Sequence, residues 1–161
     1  MNGGSRASRG PLGPFLLFFS SVSEPAFEIL EHPADVGFRA HGATLANLFE
    51  NAALALVSIA GEVDNVQPVH EYAFRVSAPD CESLLVAWLS EVLYWFDGKR
   101  IAFRRFRVDQ IDAEHLTATG YGELRDAIRH QARLIVKAVT WHQLKVAPVN
   151  GGWMAEVYLD V

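Results

Sequence analysis

The hydrophobic period of this chain switches between two values, and that switching most limits the folds open to it. Leu45, Leu48, Phe49, Ala52 and Leu56 recur at the i, i+3, i+4 spacing of one helical stripe. Leu84, Leu85, Trp88, Leu89, Val92, Leu93 and Phe96 give a second, wider helical face. Elsewhere apolar residues alternate with polar ones, as strands require: Val36, Phe38 and Ala40, then Tyr72, Phe74 and Val76, then Leu116, Ala118 and Gly120. The last segment alternates too, with Trp153, Ala155, Val157 and Leu159 on one face and Met154, Glu156, Tyr158 and Asp160 on the other. Two helices inserted among strands, followed by an antiparallel meander, predict an α+β two-layer domain. Both helices should pack on one face of a mixed, largely antiparallel sheet.

Local signals set the expected boundaries. Phe27 to Leu30 reads as a short strand. Thr44 is placed to cap the first helix and Gly61 to end it. Residues 62–70, with Pro68, read as a loop. Asp80 is placed to cap the second helix, which Asp97-Gly98 should end. Ile101 and Phe103 alternate in one phase and Phe106 and Val108 in the other, so a bulge is expected at Arg104-Arg105. Residues 110–114 read as a turn and 122–130 as a polar loop. Residues 134–141 are apolar on both faces except Lys137, the pattern of a central strand. Asn150-Gly151-Gly152 is a strong hairpin signal.

A length of 161 residues suits one domain, and half of them are hydrophobic, enough for a sizeable core. The formal charge of −5 argues against a broad nucleic-acid-binding surface. The single cysteine, Cys81, permits no internal disulfide, which suits a reducing compartment. Asp80 and Glu82 beside it disfavour a thiolate, so it reads as a bystander. Residues 1–26 differ from the rest. They are rich in Gly, Ser and Arg, carry Pro11 and Pro14, and hold one short apolar run, Phe15-Leu16-Leu17-Phe18-Phe19. That run is far too short to span a bilayer. The segment reads as a disordered extension rather than a secretory signal, with the domain at 27–161.

Glu31-His32-Pro33-Ala34-Asp35-Val36-Gly37 is the most informative motif. It puts His32 and Asp35 three residues apart at the start of the folded part. The chain ends in Tyr158-Leu159-Asp160-Val161, an aspartate one residue before the terminal carboxylate. Oxygen donors from both ends of one domain suit a hard divalent cation. Asp35 before Val-Gly also suits an ordinary turn or strand entry. Lys137, inside an apolar run, either snorkels from a sheet edge or meets a carboxylate, a phosphate or an acidic partner. Trp88, Tyr94, Trp95 and Phe96 could stack bases, but helical spacing favours core packing. Gly120-Tyr121-Gly122 is a weak phosphate-loop candidate, and a bend beside a sheet edge is the better reading. His115, His130 and His142 are scattered. No nucleophile elbow, Walker motif, zinc-type Cys/His set or dinucleotide fingerprint occurs, so no catalytic residue is assigned.

Several of these stretches together resemble the archease family. The resemblance is carried by residues 27–37 and by Leu48-Phe49-Glu50-Asn51-Ala52-Ala53. It continues through residues 84–94 and Val136-Lys137-Ala138-Val139-Thr140-Trp141-His142-Gln143-Leu144, and closes at Asp160-Val161. It implies a small acidic, non-enzymatic cofactor of an RtcB-type RNA ligase, acting in tRNA splicing and RNA repair. Such a protein promotes ligase guanylation and restores multiple turnover. The family's metal site maps onto Asp35, Asp160 and the terminal Val161, and its essential lysine onto Lys137, with His32 a further functional candidate. Calcium is the first expectation for the site, with magnesium or manganese as alternatives. RNA would be met only through the ligase, no membrane is involved, and the protein should be cytoplasmic. The family commonly has threonine where this chain has Pro33. Two other classes compete: a chaperone-like or general protein-interaction module, and a metal-dependent hydrolase, which the lack of a positioned base disfavours.

Overall fold

The computed structural model describes residues 25–31 and 36–161. The predicted extension, up to residue 24, and the candidates His32 and Asp35 lie outside them. The order of elements is β1 (Phe27–Glu31), β2 (Val36–Gly42), α1 (Leu45–Ala60), β3 (His70–Ser77), α2 (Cys81–Asp97), β4 (Ile101–Ile111), β5 (His115–Leu124), β6 (Ala138–Val139), β7 (Lys145–Val149) and β8 (Gly152–Asp160). The α+β class is as expected, but the strands form two sheets rather than one. Five strands make one sheet in the order β1-β2-β8-β6, with β7 also paired to β8. Three make the other, in the order β3-β5-β4. Every strand pairing among the described residues is antiparallel.

The helices start where the capping residues say. The Thr44 side chain accepts a hydrogen bond from the Asn47 amide, and the Asp80 carboxylate accepts one from the Ser83 amide. Helix α1 packs against strands of both sheets, which the single-stripe reading did not foresee. Ala53, Ala55, Val57 and Ile59 are buried along with the expected Leu48, Phe49, Ala52 and Leu56. A helix apolar nearly all round is an interior helix, and its alanines let two sheets approach it closely. Consecutive polar residues tie it to each side. Glu50 accepts the Val108 amide of β4 at 2.7 Å, and Asn51 donates to the His41 carbonyl of β2 at 2.6 Å.

Between α2 and the three-stranded sheet lies an aromatic cluster of Phe74, Trp88, Phe103 and Phe106 in edge-on and tilted contacts. Trp88 is fully buried, and its indole N–H donates to the Phe49 carbonyl at 2.9 Å. The aromatic row on α2 is therefore mainly core, as expected, with Tyr94 as the exposed exception. The bulge at Arg104 is present, and a second register shift falls between Val108 and Gln110. Strand β4 runs on to Ile111, so the turn is shorter than 110–114. Gly120-Tyr121-Gly122 is neither phosphate loop nor bend but the interior of β5, which continues to Leu124. A Cβ on Gly122 would lie 1.8 Å from the Ala102 carbonyl oxygen, so glycine is demanded by the backbone of β4.

The predicted central strand over 134–141 is the clearest correction. Only Ala138–Val139 forms a strand, and Leu134, Ile135 and Trp141 are exposed. The reason is competition for one edge of β8. Strand β7 pairs with Gly152–Glu156, which leaves Val157–Asp160, and β6 pairs with only Leu159 and Asp160 of these. Ala138 faces Asp160 whereas Lys145 faces Glu156, so three extra residues are looped out between the two strands. Thr140 staples that loop by donating to the Tyr158 carbonyl at 2.9 Å, and Gln143 turns it at φ 51°. The hairpin into β8 is as expected. Asn150 and Gly151 have φ of 41° and 80°, the positive pair of a type I′ turn.

Candidate functional site

Asp160 is the last residue of β8 and is exposed, with Val161 beyond it also exposed. Strand β2 pairs antiparallel with β8, with Val36 opposite Leu159, so the start of β2 and the end of β8 meet at one end of the sheet. Lys137 reaches the same place from a third direction: its backbone N–H donates to the Asp160 carbonyl at 2.7 Å. Asp160, Val161 and Lys137 are thus brought together from distant positions. The Lys137 side chain is exposed at the sheet edge and makes no ion pair among the described residues, so it does not clamp Asp160 through its ammonium.

Charge on the same sheet face separates spent from unspent carboxylates. Arg39 of β2 donates to Glu28 of β1 at 2.6 Å and to Glu156 of β8 at 2.9 Å. The register places these residues directly across from one another, so each pair is a cross-strand neighbour. Glu28 and Glu156 are therefore engaged, while the Asp160 side chain has no described hydrogen bond or ion pair. Among the described residues no three His, Cys, Asp or Glu side chains converge as a metal site would need. The donors at this tip, Asp160 and the Val161 carboxylate, are all oxygens and adjacent. That fits part of the ligand set of a hard cation and none of a soft one.

Beside the tip, α2 and the strand-like segment leave a groove of about 510 Å³ lined by Leu93, Tyr94, Asp97, Ile135, Lys137 and Val139, among others. Sequence reasoning assigned Ile135 to a core strand and Tyr94 to packing, and missed that both face this groove. Their exposure depends on how β8 shares its edge, which has no local signal. His142 lies edge-on to the Tyr158 ring at 6.0 Å. A larger cavity of about 650 Å³ lies at the opposite end of β2 and β8, lined by His41, Asn51, Asn150 and Trp153, among others.

The most perturbed acid among the described residues is elsewhere and is structural. Glu123 of β5 accepts from Arg129, from the Gln67 amide and from His130 Nε2 at 3.0 Å. The Arg129 hydrogen bond, with help from the other two, holds its carboxyl down to about 2. His130 is buried, and its Nδ1 accepts the Asp126 amide at 2.8 Å. Its proton therefore sits on Nε2, facing Glu123. Burial, with Glu82 and Asp80 nearby, pushes the Cys81 thiol up, in keeping with an unreactive side chain.

Residues 27–161 match the model of the Archease protein family (MTH1598/TM1083). A protein archease of Methanosarcina barkeri is 40% identical over 139 residues, covering 84% of this chain and 95% of that protein. One from Pyrococcus furiosus is 37% identical over 139 residues, covering 84% and 98%. The solution structure of protein 1598 from Methanobacterium thermoautotrophicum superposes with a TM-score of 0.70 at 35% identity, over 84% of this chain and 99% of that one. The crystal structure of a Thermotoga maritima archease, described as a possible chaperone, gives 0.58 at 18% identity over 87% and 98%, a likeness of fold. No helix among the described residues is long and apolar enough to cross a membrane. By its sequence and by the arrangement of its strands and helices, this chain belongs to the archease family.

Proposed function

We propose that this archease is a cation-binding accessory protein that activates an RtcB-type RNA ligase in tRNA splicing and RNA repair. It does so by promoting ligase guanylation and multiple turnover, without catalysing a reaction itself. The observation that carries the reading is the tip: β8 ends at an exposed Asp160 whose side chain makes no hydrogen bond or ion pair among the described residues, with the start of β2 on one side and Lys137 held to its carbonyl on the other.

Asp35, Asp160 and the Val161 carboxylate would hold the cation, with calcium the first choice and magnesium or manganese the alternatives. A hard divalent ion there supplies positive charge against the phosphates of the ligase's nucleotide. The chain's own part is to present those carboxylates on a rigid strand end. The β8 backbone is pinned between β2 and β6, so Asp160 cannot drift from the tip. Lys137, free of any described ion pair, is available to an acidic or phosphate group of the ligase, with His32 a second partner-facing candidate. RNA is reached through the ligase.

The test is a multiple-turnover ligation assay with the RtcB-type ligase of the same genome. Stimulation by wild type that is lost in Asp35→Ala and in Asp160→Ala, with both variants folded, supports the reading. Normal stimulation by either variant refutes the carboxylate site, and no stimulation by folded wild type refutes the activator role. Exposed Leu124 and Ile128 favour the rival chaperone-like reading, since unfolded clients bind exposed apolar side chains. Stimulation confined to one ligase excludes it.

A further inference from the structure

We infer that β3 is an association edge, along which two copies of this chain pair strand to strand, antiparallel, about a two-fold axis at Ala73. The inference goes beyond the activator reading and does not depend on it.

Three observations support it. First, β3 is an open edge where the other edges are closed. Its sheet runs β3-β5-β4, so β3 and β4 each have one side without a strand among the described residues. Strand β4 is bulged at two places, packs on α1, and donates its Val108 amide to the Glu50 carboxylate. In the other sheet β6 has two residues and β1 and β7 have five each, with Pro148 in β7. Short strands, bulges and proline are devices that stop a sheet from adding strands. Strand β3 has none of them. It runs eight residues without Gly or Pro, in unbroken register with β5. Its flanks bond toward β5 rather than across the open side. The Gln67 amide donates to Glu123 of β5, and the Ala78 amide donates to the Glu114 carbonyl just before β5. Eight residues at about 3.3 Å each offer a ladder about 26 Å long.

Second, the charges of β3 complement themselves. Antiparallel pairing centred on Ala73 sets Glu71 opposite the partner's Arg75, and Arg75 opposite the partner's Glu71. Glu71, Ala73 and Arg75 are all exposed and share the outer face of the strand. Neither charged side chain makes a hydrogen bond or ion pair among the described residues. Arg107 of β4 feels the Glu71 charge, but its bonds go to Asp109 and Thr119. Opposite charges directly across a strand pair favour it, and like charges oppose it. A parallel pairing in register would set Glu71 against Glu71 and Arg75 against Arg75. The charge pattern therefore selects orientation and register together.

Third, the inner face gains cover in the same register. Phe74 is buried, while Tyr72 and Val76 are half-buried. The Phe74 and Tyr72 rings lie 5.1 and 5.6 Å from that of Trp95 on α2. Pairing about Ala73 brings Tyr72 opposite the partner's Phe74, so an aromatic pair stands on each side of the axis. The methyl of Ala73 leaves the two backbones free to approach there. A two-fold contact uses the same patch twice, so the assembly closes at two copies. One strand pair is a small interface, and the dimer is accordingly reversible rather than permanent.

The experiment is sedimentation velocity on the full chain from about 5 μM to about 1 mM, with hydrogen exchange of the β3 amides over the same range. The variants are Glu71→Arg and Arg75→Glu, each checked for a wild-type melting curve. Both positions are exposed, so folding should survive the changes. Wild type is expected to dimerise reversibly, with β3 amide protection rising with concentration. Each variant alone should dimerise at least tenfold more weakly, because both of its cross-strand contacts join like charges. An equimolar mixture of the two variants should recover dimers, because each contact again joins an arginine to a glutamate.

A wild type that stays monomeric throughout the range overturns the proposal. So does either variant dimerising within twofold of wild type, or a mixture no tighter than the single variants. Protection of β3 that does not change with concentration would mean that the edge is covered within one chain. Protection that appears only when the ligase is added would mean that the edge takes a strand of the ligase. Either result overturns the pairing of two copies.

Discussion

Glu123 of the three-stranded sheet and Asp160 of the five-stranded one are treated in opposite ways. In the three-stranded sheet, Glu123 and Asp109 are engaged by their neighbours. Glu123 accepts from Arg129, His130 and the Gln67 amide, and Arg107 pairs with Asp109, which also accepts from Thr119. Its inner face is closed by the Trp88 aromatic cluster. The five-stranded sheet does the same at its middle, where Arg39 joins Glu28 and Glu156. At its end it does not: the Asp160 and Lys137 side chains are exposed and unpaired among the described residues, beside exposed Ile135 and Trp141. Groups that are paired internally stabilise the fold and are closed to a partner. Groups that are left open contribute little stability and remain available for binding.

This contrast can be broken by mutation, and the largest effect should come from the closed side. Trp88→Ala removes a fully buried indole and its hydrogen bond to Phe49, and should cost about 3–5 kcal/mol in urea unfolding. A cost near that of a surface change would mean that the aromatic cluster is not the keystone of this half. Next, Gly122→Ala drives a Cβ into the Ala102 carbonyl, a backbone atom that cannot rotate away. We expect about 1–3 kcal/mol of destabilisation by the same measurement.

A smaller effect should follow from Glu123→Gln, on the order of 1 kcal/mol near neutral pH after allowance for solvent screening. Its pH dependence is the sharper readout. The native carboxyl titrates at about 2 against an ordinary value of 4.5, so the folded state binds that proton more weakly than the unfolded state. The stabilisation is complete above about 4.5 and is lost as pH falls toward about 2. Wild type should therefore lose stability across that window more steeply than Glu123→Gln, as seen in urea midpoints taken at each pH. Parallel curves would remove Glu123 from the closed set. The smallest effect belongs to the open side. Asp160→Asn should leave the urea midpoint within about 0.5 kcal/mol of wild type while abolishing ligase stimulation. A large loss of stability would mean that Asp160 is a structural residue after all.

Much of the fold was legible because its signals are local. Thr44 and Asp80 cap helices through bonds to amides three residues away, and Asn150-Gly151 sets its turn by the φ angles those two residues tolerate. The bulge at Arg104 was visible as a change of phase within one strand. The site was legible only in outline. Asp160 and Lys137 stood out as residues, yet their closeness depends on a backbone bond between strands far apart in the chain. The role of Glu50 and Asn51, one to each sheet, carried no sequence signal beyond polarity at adjacent helical positions.

By itself the sequence determined the α+β class, the helix caps, most strand phases and the family. Each of these depends on the spacing of side chains along a few turns or on the ordered set of motifs. Tertiary structure alone decided that the strands divide into two sheets around α1, and that residues 134–141 give up all but two positions of their predicted strand. The apolar period of 134–141 states that the segment wants a strand neighbour, but not whether one is free. Strand β7 takes most of that edge of β8, three residues loop out, and the side chains left over become the exposed wall beside Asp160. Pairing along a shared edge is a competition between distant segments, and no window of sequence contains both competitors.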